Sequence, residues 1–354
     1  MSKLKLCVLF GGVSSEHEVS LLSAESVLTH LNEDKYEIHR IVITKDGKWL
    51  YYDRKNEEIS RCSDFQALGL DRAVLSPDRE DHGLLRFTKD GVVRIPIDVV
   101  FPVLHGKNGE DGTIQGLFEL AGIPYVGSGV IGSSVCMDKC VAKILFARAG
   151  IPQANWVEIK AGEPDKVDEI EQKLGYPCFI KPSNAGSSVG ISKAHNRSEL
   201  VEGLKLAFAH DYKVLVEEMM TGTEVESSVF GNLRPVCADA LGEIAPANEF
   251  YDYEAKYKSA DSRLTIPAKL EPSVAEKLKE YALRAYQICE CRGLSRVDFF
   301  VDKTSGDVRL NEINTLPGFT AISMYPKMWE ASSVPYGELL DRLVQCALER
   351  QGNC

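Results

Sequence analysis

The sequence predicts an α/β protein with α+β parts. A first unit is built on a parallel sheet, a compact α+β unit follows, and a strand-rich third unit is closed by helices. Three observations predict this. The chain has 354 residues, more than one core usually serves at roughly 150 residues per domain. It opens with a strand, a glycine turn, a helix and a second strand, the order of a βαβ unit whose strands lie parallel. From Val214 onward the chain turns strand-rich. With 44% hydrophobic and 26% charged residues, it has the apolar content to fill several cores and lies outside the composition range of disorder.

Leu4–Phe10 is apolar and stops at Gly11-Gly12. That fits a buried first strand rather than a signal peptide or a span, which needs about 20 apolar residues. A helix is expected from about Val19 to Asn32, then a strand over Tyr36–Thr44. Residues 52–82 are polar with little periodicity and read as loops. Leu84–Ile97, broken by Lys89-Asp90-Gly91, reads as a hairpin. Asp98–Leu104, apolar from Val99 onward, reads as a buried strand; helix Thr113–Ala121, capped by Gly122, follows, and the first unit (1–125) closes. In the second unit (126–216) a helix around Met137–Ala149 ends at Gly150-Ile151-Pro152. Strands are expected at Asn155–Ile159, Cys178–Lys181 and Ser188–Lys193, with helices near 164–174 and 197–209. Strand Val214–Glu218 leads into the third unit (217–354). There, strands Glu224–Gly231 and Pro235–Leu241 precede a polar, aromatic-rich loop over 245–262. A long amphipathic helix near 272–290, strands Leu294–Val301 and Val308–Asn314, and further helices complete the chain.

The 41 Lys+Arg against 52 Asp+Glu give a net charge of −11. Nucleic acids and anionic membranes are bound by clustered positive charge, so both are poor partners for this chain. An anion such as a nucleotide would need a local pocket with its own lysines and arginines. The ten cysteines are scattered without a CxxC, which fits reduced buried thiols in a cytoplasmic protein. The seven histidines show no HExxH spacing, which argues against a His/Cys metal site.

Several clusters can carry chemistry. Arg296-Val297-Asp298 and Asn311-Glu312-Ile313-Asn314 lie on successive strands. Side chains alternate along a strand, so Glu312 and Asn314 share a face that Asp298 can join from a paired neighbour. Two carboxylates and an amide oxygen suit Mg²⁺; a solvated strand face explains the same residues. Lys181 ends an apolar strand, and Asn184-Ala185-Gly186-Ser187-Ser188-Val189-Gly190 follows. Glycine and serine let backbone N–H groups approach phosphate; a plain hairpin tip explains the loop equally well. Lys139 adds a second lysine. The run Val214–Met220, with Glu217 and Glu218, followed by Glu224, reads as a strand leaving its sheet, where backbone groups can pair with an adenine edge and an acid can hold ribose hydroxyls. Edge-strand charge is the plain alternative.

In this order the motifs resemble the ATP-grasp superfamily, and within it the D-alanine–D-alanine ligase family. The resemblance runs through Phe10–Ser20, Leu104–Gly112, Lys181-Pro182-Ser183, Gly186–Gly190, Phe250–Tyr257 and Asn311–Thr320. It covers nearly every segment except about 50–95. It implies a three-domain ATP-grasp architecture with an N-terminal pre-ATP-grasp domain. It also implies an ADP-forming ligase of peptidoglycan synthesis in the cytoplasm, acting as a homodimer through the first unit. In that chemistry one D-alanine carboxylate attacks the γ-phosphate of ATP, and the amine of the second D-alanine then displaces phosphate from the acyl phosphate.

Carried over by motif, the resemblance gives Glu16 the ammonium of the first substrate and places His105 near it. Lys139, Lys181 and Lys256 match phosphate lysines, with Ser187, Ser188 and Phe250 also on the nucleotide. Glu217, the backbone around Glu218 and Met220, and Glu224 match adenine and ribose contacts. Arg296 and the Gly318 amide match the oxyanion pair, and Asp298, Glu312 and Asn314 the ligands of two Mg²⁺ ions, for which Mn²⁺ can substitute. Ser323 and the Met324 amide match the group that binds the second substrate's carboxylate. Ser187 and Tyr257 match a hydrogen-bonded pair linking a closing loop to Glu16, a seal against water. Some relatives take an activating potassium ion.

Tyr257 stands where D-lactate-using relatives carry histidine, which favours amide formation. Ala321-Ile322-Ser323 stands where others have Ser-His-Ser, so a D-alanine–D-serine ligase is the alternative within the family, with the D-lactate enzyme behind it. A non-catalytic nucleotide-binding regulator is opposed by the intact set Glu16, Arg296, Asp298, Glu312, Asn314 and Gly318. A dinucleotide oxidoreductase is opposed by the absence of GxGxxG after the first strand.

Overall fold

A computed structural model describes residues 3–186, 189–245 and 263–351. Three sheets organise them. In the first, the strand order is β6-β5-β4-β3-β2-β1-β7: β1 Leu4–Gly11, β2 Tyr36–Ile43, β3 Trp49–Tyr51, β4 Arg72–Leu75, β5 Gly83–Thr88, β6 Gly91–Pro96 and β7 Val99–Leu104. Only β2-β1-β7 are parallel; β3 to β6 add an antiparallel flank. The parallel strands are apolar on both faces because both are covered. Leu6, Val8 and Phe10 pack with helix His17–His30 and the C-terminal helix Tyr336–Gln351, while Cys7 and Leu9 share a core with helix Thr113–Ala121.

The second sheet, β10-β9-β11-β8, is antiparallel: β8 Trp156–Lys160, β9 Cys178–Pro182, β10 Ser192–Ala194 and β11 Lys213–Glu218. Helices Val167–Lys173 and Arg197–Phe208 cover its apolar face. The third sheet holds β12 Thr223–Gly231, β13 Val236–Cys237, β14 Gly242–Ala245, β15 Arg263–Thr265, β16 Gly293–Asp302 and β17 Asp307–Asn314. One of its faces packs on helix Pro272–Ile288.

Three expectations are corrected and one helix is added. The polar stretch 52–82 is not all loop: it contains β4, a four-residue strand completed by β3 and β5. The helix expected around Met137–Ala149 is present as Lys139–Arg148, and a further helix, Val130–Met137, which was not expected, precedes it. Asp138, at ψ 96°, breaks the run, and its carboxylate accepts from Val141 N–H to cap the second helix. Strand Pro235–Leu241 contracts to β13, Val236–Cys237, and a separate strand, β14, begins just after it at Gly242. Strand Ser188–Lys193 contracts to Ser192–Ala194. Helices Val130–Met137 and Lys139–Arg148 contribute Cys136, Ala142 and Phe146 to the core of the third sheet. The cysteines of the described residues are free thiols. Among the described residues no helix is long and apolar enough to cross a membrane.

Candidate active site

The third sheet carries an acidic face because its apolar residues alternate onto the opposite one. Val225 and Val229 of β12 and Val297, Phe299 and Val301 of β16 lie in the core under helix Pro272–Ile288. Glu224, Glu226 and Ser228 of β12, and Arg296 and Asp298 of β16, therefore face away. Register sets their neighbours: Glu226 pairs with Asp298, Ser228 with Arg296, Asp298 with Glu312 and Arg296 with Asn314. A bulge after Asp298 shifts the parity of β17, so that Val308 and Leu310 face the helix core, as does Ile313. Glu312 and Asn314 are thereby turned onto the acidic face.

Arg296 sits among these acids. Its Nε donates to Asp298 Oδ1 at 2.8 Å and its Nη2 to Asp298 Oδ2 at 2.7 Å. Glu226 Oε2 lies 3.1 Å from the same Nε, and Asn314 Nδ2 donates to Asp298 Oδ2 at 3.1 Å. Carboxylate oxygens of Glu224, Glu226 and Asp298 lie within 4.8 Å of one another. Asp298, with Glu312 and the Asn314 amide oxygen on the same face, offers an all-oxygen donor set that fits a hard divalent cation such as Mg²⁺.

The second sheet supplies cations. Along β11, Val214 and Val216 enter the core, and Leu215 and Glu217 face the other way. Glu217 is buried between two lysines: Lys143 Nζ is 2.9 Å from Oε2, and Lys181 pairs with Oε1. Burial alone would raise the Glu217 carboxyl, but Lys181 and Lys143 outweigh it and hold its pKa at about 2. Lys139 Nζ donates to the carbonyl of Ala185 at 2.7 Å, and Lys139 N–H to that of Ser183 at 3.0 Å, which fastens this lysine to the glycine-serine loop. The Glu218 carboxylate accepts from Asn155 N–H at 3.0 Å and from Arg309 Nη1 at 3.1 Å, so its side chain ties the second sheet to the third. Met220, just past the end of β11, has no backbone hydrogen bond to another backbone group among the described residues.

Three loops converge on Glu16. It precedes helix His17–His30 and is 7% exposed. A Cβ on Gly106 would come within 2.4 Å of Glu16 Oε2, and one on Gly186 within 2.8 Å. Gly106 also has φ +68°, so the loop takes glycine for two reasons. Next to it, buried His105 bonds through Nε2 to Ser23 Oγ at 3.1 Å and through Nδ1 to the Leu316 carbonyl at 3.1 Å. Ser23 Oγ accepts from Phe319 N–H at 3.3 Å. The Gly318 segment is thus pinned to the first unit. Ser323 Oγ accepts from Thr320 N–H at 3.0 Å and would meet a Cβ on Gly318 at 2.8 Å. Ser323 is the cap of helix Met324–Ala331, whose first amide is that of Met324. A helix N-terminus beside a hydroxyl suits a carboxylate.

Burial opposes a charged His105, but the carboxylates of Glu110 and Glu16 and the Leu316 carbonyl outweigh it, and its pKa rises above the ordinary 6.5. A raised pKa contributes stability that is full below the unfolded value and lost as pH rises through the folded one. The unfolding temperature of the protein is therefore expected to fall more between about pH 6 and 9 than that of His105→Gln. Parallel profiles would refute a charged His105.

The structure thus brings together Glu16, His105, Gly318 and Ser323 at one junction, Lys139, Lys181 and Glu217 at a second, and Arg296, Asp298, Glu312 and Asn314 at a third. Ser187, Ser188, Phe250, Lys256 and Tyr257 lie outside the described residues. Sequence reasoning passed over Lys143, Glu226 and Ser23. Glu226 was findable, two residues from Glu224 on one strand face; Lys143, one turn after Lys139 on a helix, and Ser23 gave no signal of their own.

Residues 5–128 match the family model described as D-ala D-ala ligase N-terminus, and residues 145–345 match the D-ala D-ala ligase C-terminus. The chain belongs to the D-alanine–D-alanine ligase family. The D-alanine–D-alanine ligase of Ruminiclostridium cellulolyticum is 51% identical over 365 residues, covering 99% of this chain and 96% of that protein. Among solved structures, the VanG D-Ala:D-Ser ligase from Enterococcus faecalis superposes with a TM-score of 0.88 at 40% identity, covering 98% of this chain and 100% of that one. The Bacillus anthracis D-alanine–D-alanine ligase complexed with ATP has a TM-score of 0.75 at 30% identity, covering 100% of this chain and 99% of that one. The ATP-grasp architecture expected from the motifs is that of this family.

Proposed function

We propose that this chain joins two D-alanines into D-alanyl-D-alanine, consuming ATP through a D-alanyl phosphate, for peptidoglycan synthesis. The observation that carries this reading is the family match, which takes in both halves of the chain. Glu16 binds the ammonium of the first D-alanine, and His105 holds the Gly318 segment against that site. Lys139 and Lys181, with Ser187, Ser188 and Lys256, neutralise the phosphates. Phe250, the Met220 backbone, Glu217 and Glu218 border the adenine, and Glu224 takes the ribose. Asp298, Glu312 and Asn314 hold Mg²⁺, or Mn²⁺, which when bound offsets the phosphate charge. The first substrate's carboxylate attacks the γ-phosphorus and ADP leaves; the second substrate's amine attacks the acyl carbon, loses a proton, and phosphate leaves. Arg296 and the Gly318 amide stabilise the oxyanion of that second step, Ser323 and the Met324 amide bind the second carboxylate, and Ser187 and Tyr257 seal the site. The same reading takes the division 1–125, 126–216 and 217–354, a cytoplasmic homodimer, and activation by potassium as proposals of its own.

Incubation with ATP, Mg²⁺, K⁺ and D-alanine is expected to release phosphate and yield the dipeptide; no turnover would overturn the reading. The second reading is a D-alanine–D-serine ligase. Ala321-Ile322-Ser323 and the likeness to a structure described as a D-Ala:D-Ser ligase favour it, and the 51% identity to a D-alanine–D-alanine ligase weighs against it. Comparing kcat/KM for D-alanine, D-serine and D-lactate as second substrates decides between them.

A further inference from the structure

We propose that Glu226 is a positioning residue that retains Arg296 when a divalent cation takes Asp298. Both oxygens of Asp298 are engaged by donors: Arg296 Nε on Oδ1 at 2.8 Å, Arg296 Nη2 on Oδ2 at 2.7 Å, and Asn314 Nδ2 on Oδ2 at 3.1 Å. An ionised carboxylate offers about four lone-pair sites, and these three donors leave one, on Oδ1. A divalent cation there meets the positive guanidinium at close range, so metal loading at Asp298 favours release of that contact.

The second anchor is already in place. Glu226 Oε2 lies 3.1 Å from Arg296 Nε. Glu226 pairs directly with Asp298 across the ladder, so the guanidinium stands between two carboxylates that share one face. Glu226 is 2% exposed and Asp298 1%. In such a buried setting a displaced arginine without a counter-charge is costly, and so is a buried carboxylate without a cation. Glu226 removes both costs: the guanidinium leaves Asp298 yet keeps a carboxylate, and stays on the face where the oxyanion develops. Arginine's planar fork allows it to exchange one carboxylate for another without losing charge. Glu226 acts through Arg296 and does not touch substrate.

This role presupposes the ligase reading and is separable from it by experiment. Mn²⁺ binding, in the presence of a non-hydrolysable ATP analogue and without D-alanine, is followed by electron paramagnetic resonance in the wild-type protein, Glu226→Gln, Arg296→Ala and the double variant. Glu226→Gln is expected to weaken Mn²⁺ binding about tenfold, because Arg296 is then held on Asp298 alone, whereas Arg296→Ala binds Mn²⁺ at least as tightly as wild type. The double variant is expected to match Arg296→Ala. If Glu226→Gln weakens binding by the same factor in both backgrounds, Glu226 is a metal ligand or acts through its charge alone, and the proposal fails. Unchanged Mn²⁺ binding in Glu226→Gln also overturns it. Glu226→Asp, which keeps the carboxylate, is expected to restore most of the affinity, and its thermal unfolding reports whether the fold is intact. Failure of the ligase reading shows elsewhere, as a wild-type protein that makes no dipeptide.

Discussion

Arg296→Ala is expected to lower kcat for dipeptide formation by about 10²–10³-fold, the cost of removing one oxyanion donor, while the KM for ATP changes little. The expectation rests on where the sheet puts the guanidinium. Arg296 has Glu226 Oε2 at 3.1 Å, the carboxylate it keeps when a cation takes Asp298, and so stays on the face that also carries Glu312 and Asn314. A preoriented charge does not have to reorganise as the oxyanion forms. Arg296→Lys is expected to recover little, because one ammonium cannot bond two carboxylates in the same plane and still face the site. The same substitutions leave Glu226 and Asp298 buried without their shared cation, so the metal-free alanine variant is also expected to unfold at lower temperature. Steady-state kinetics with saturating Mg²⁺ and thermal unfolding with and without the ion check both effects. Wild-type kcat in Arg296→Ala would remove this residue from the chemistry.

Glu16→Gln is expected to raise the KM for the first D-alanine by about 30-fold or more, the loss of one partner from a desolvated charge pair. The variant keeps the size of the side chain and removes only the charge. Gly186→Ala tests the position rather than the charge: its Cβ would lie 2.8 Å from Glu16 Oε2, so Glu16 must turn aside. We expect Gly186→Ala to raise the same KM with a smaller loss, and Gly106→Ala to cost more, since its Cβ would lie at 2.4 Å on a backbone with φ +68°. Separate KM values for the two D-alanine sites provide the measurement. An unchanged first-site KM in Glu16→Gln would exclude the ammonium role.

Much of the fold was legible locally. The apolar runs of β1 and β7, the Gly122 cap and the amphipathic helix Pro272–Ile288 have sequence signals that tertiary contacts only reinforce. The failures share a cause. β4 is four residues long and has no strand signal strong enough to stand alone; pairing with β3 and β5 makes it a strand. Helix Val130–Met137 was passed over, and Asp138, which separates it from Lys139–Arg148, reads in the sequence as an ordinary surface acid. In the folded chain it caps a helix, accepts from Ser183 Oγ at 2.7 Å and pairs with Lys213.

The site divides in the same way. By itself the sequence determined which residue types are present and, through strand alternation, that Glu312 shares a face with Asn314; the same alternation would have paired Glu224 with Glu226, which was passed over. It also carried the long ordered motifs that mark the family. Only the tertiary structure decided which faces meet. Asp298 reaches Glu312 and Glu226 because register aligns three strands, and a bulge placed after Asp298 keeps the alignment. Lys143 becomes a partner of Glu217 because the fold brings its helix, Lys139–Arg148, beside the Glu217 end of β11. Glu16 meets Gly106 and Gly186 because three loops far apart in the chain end at one point. Alternation and capping are properties of neighbours along the chain. Register and the approach of distant loops are fixed by the burial of whole faces, a sum over contacts that no local stretch contains.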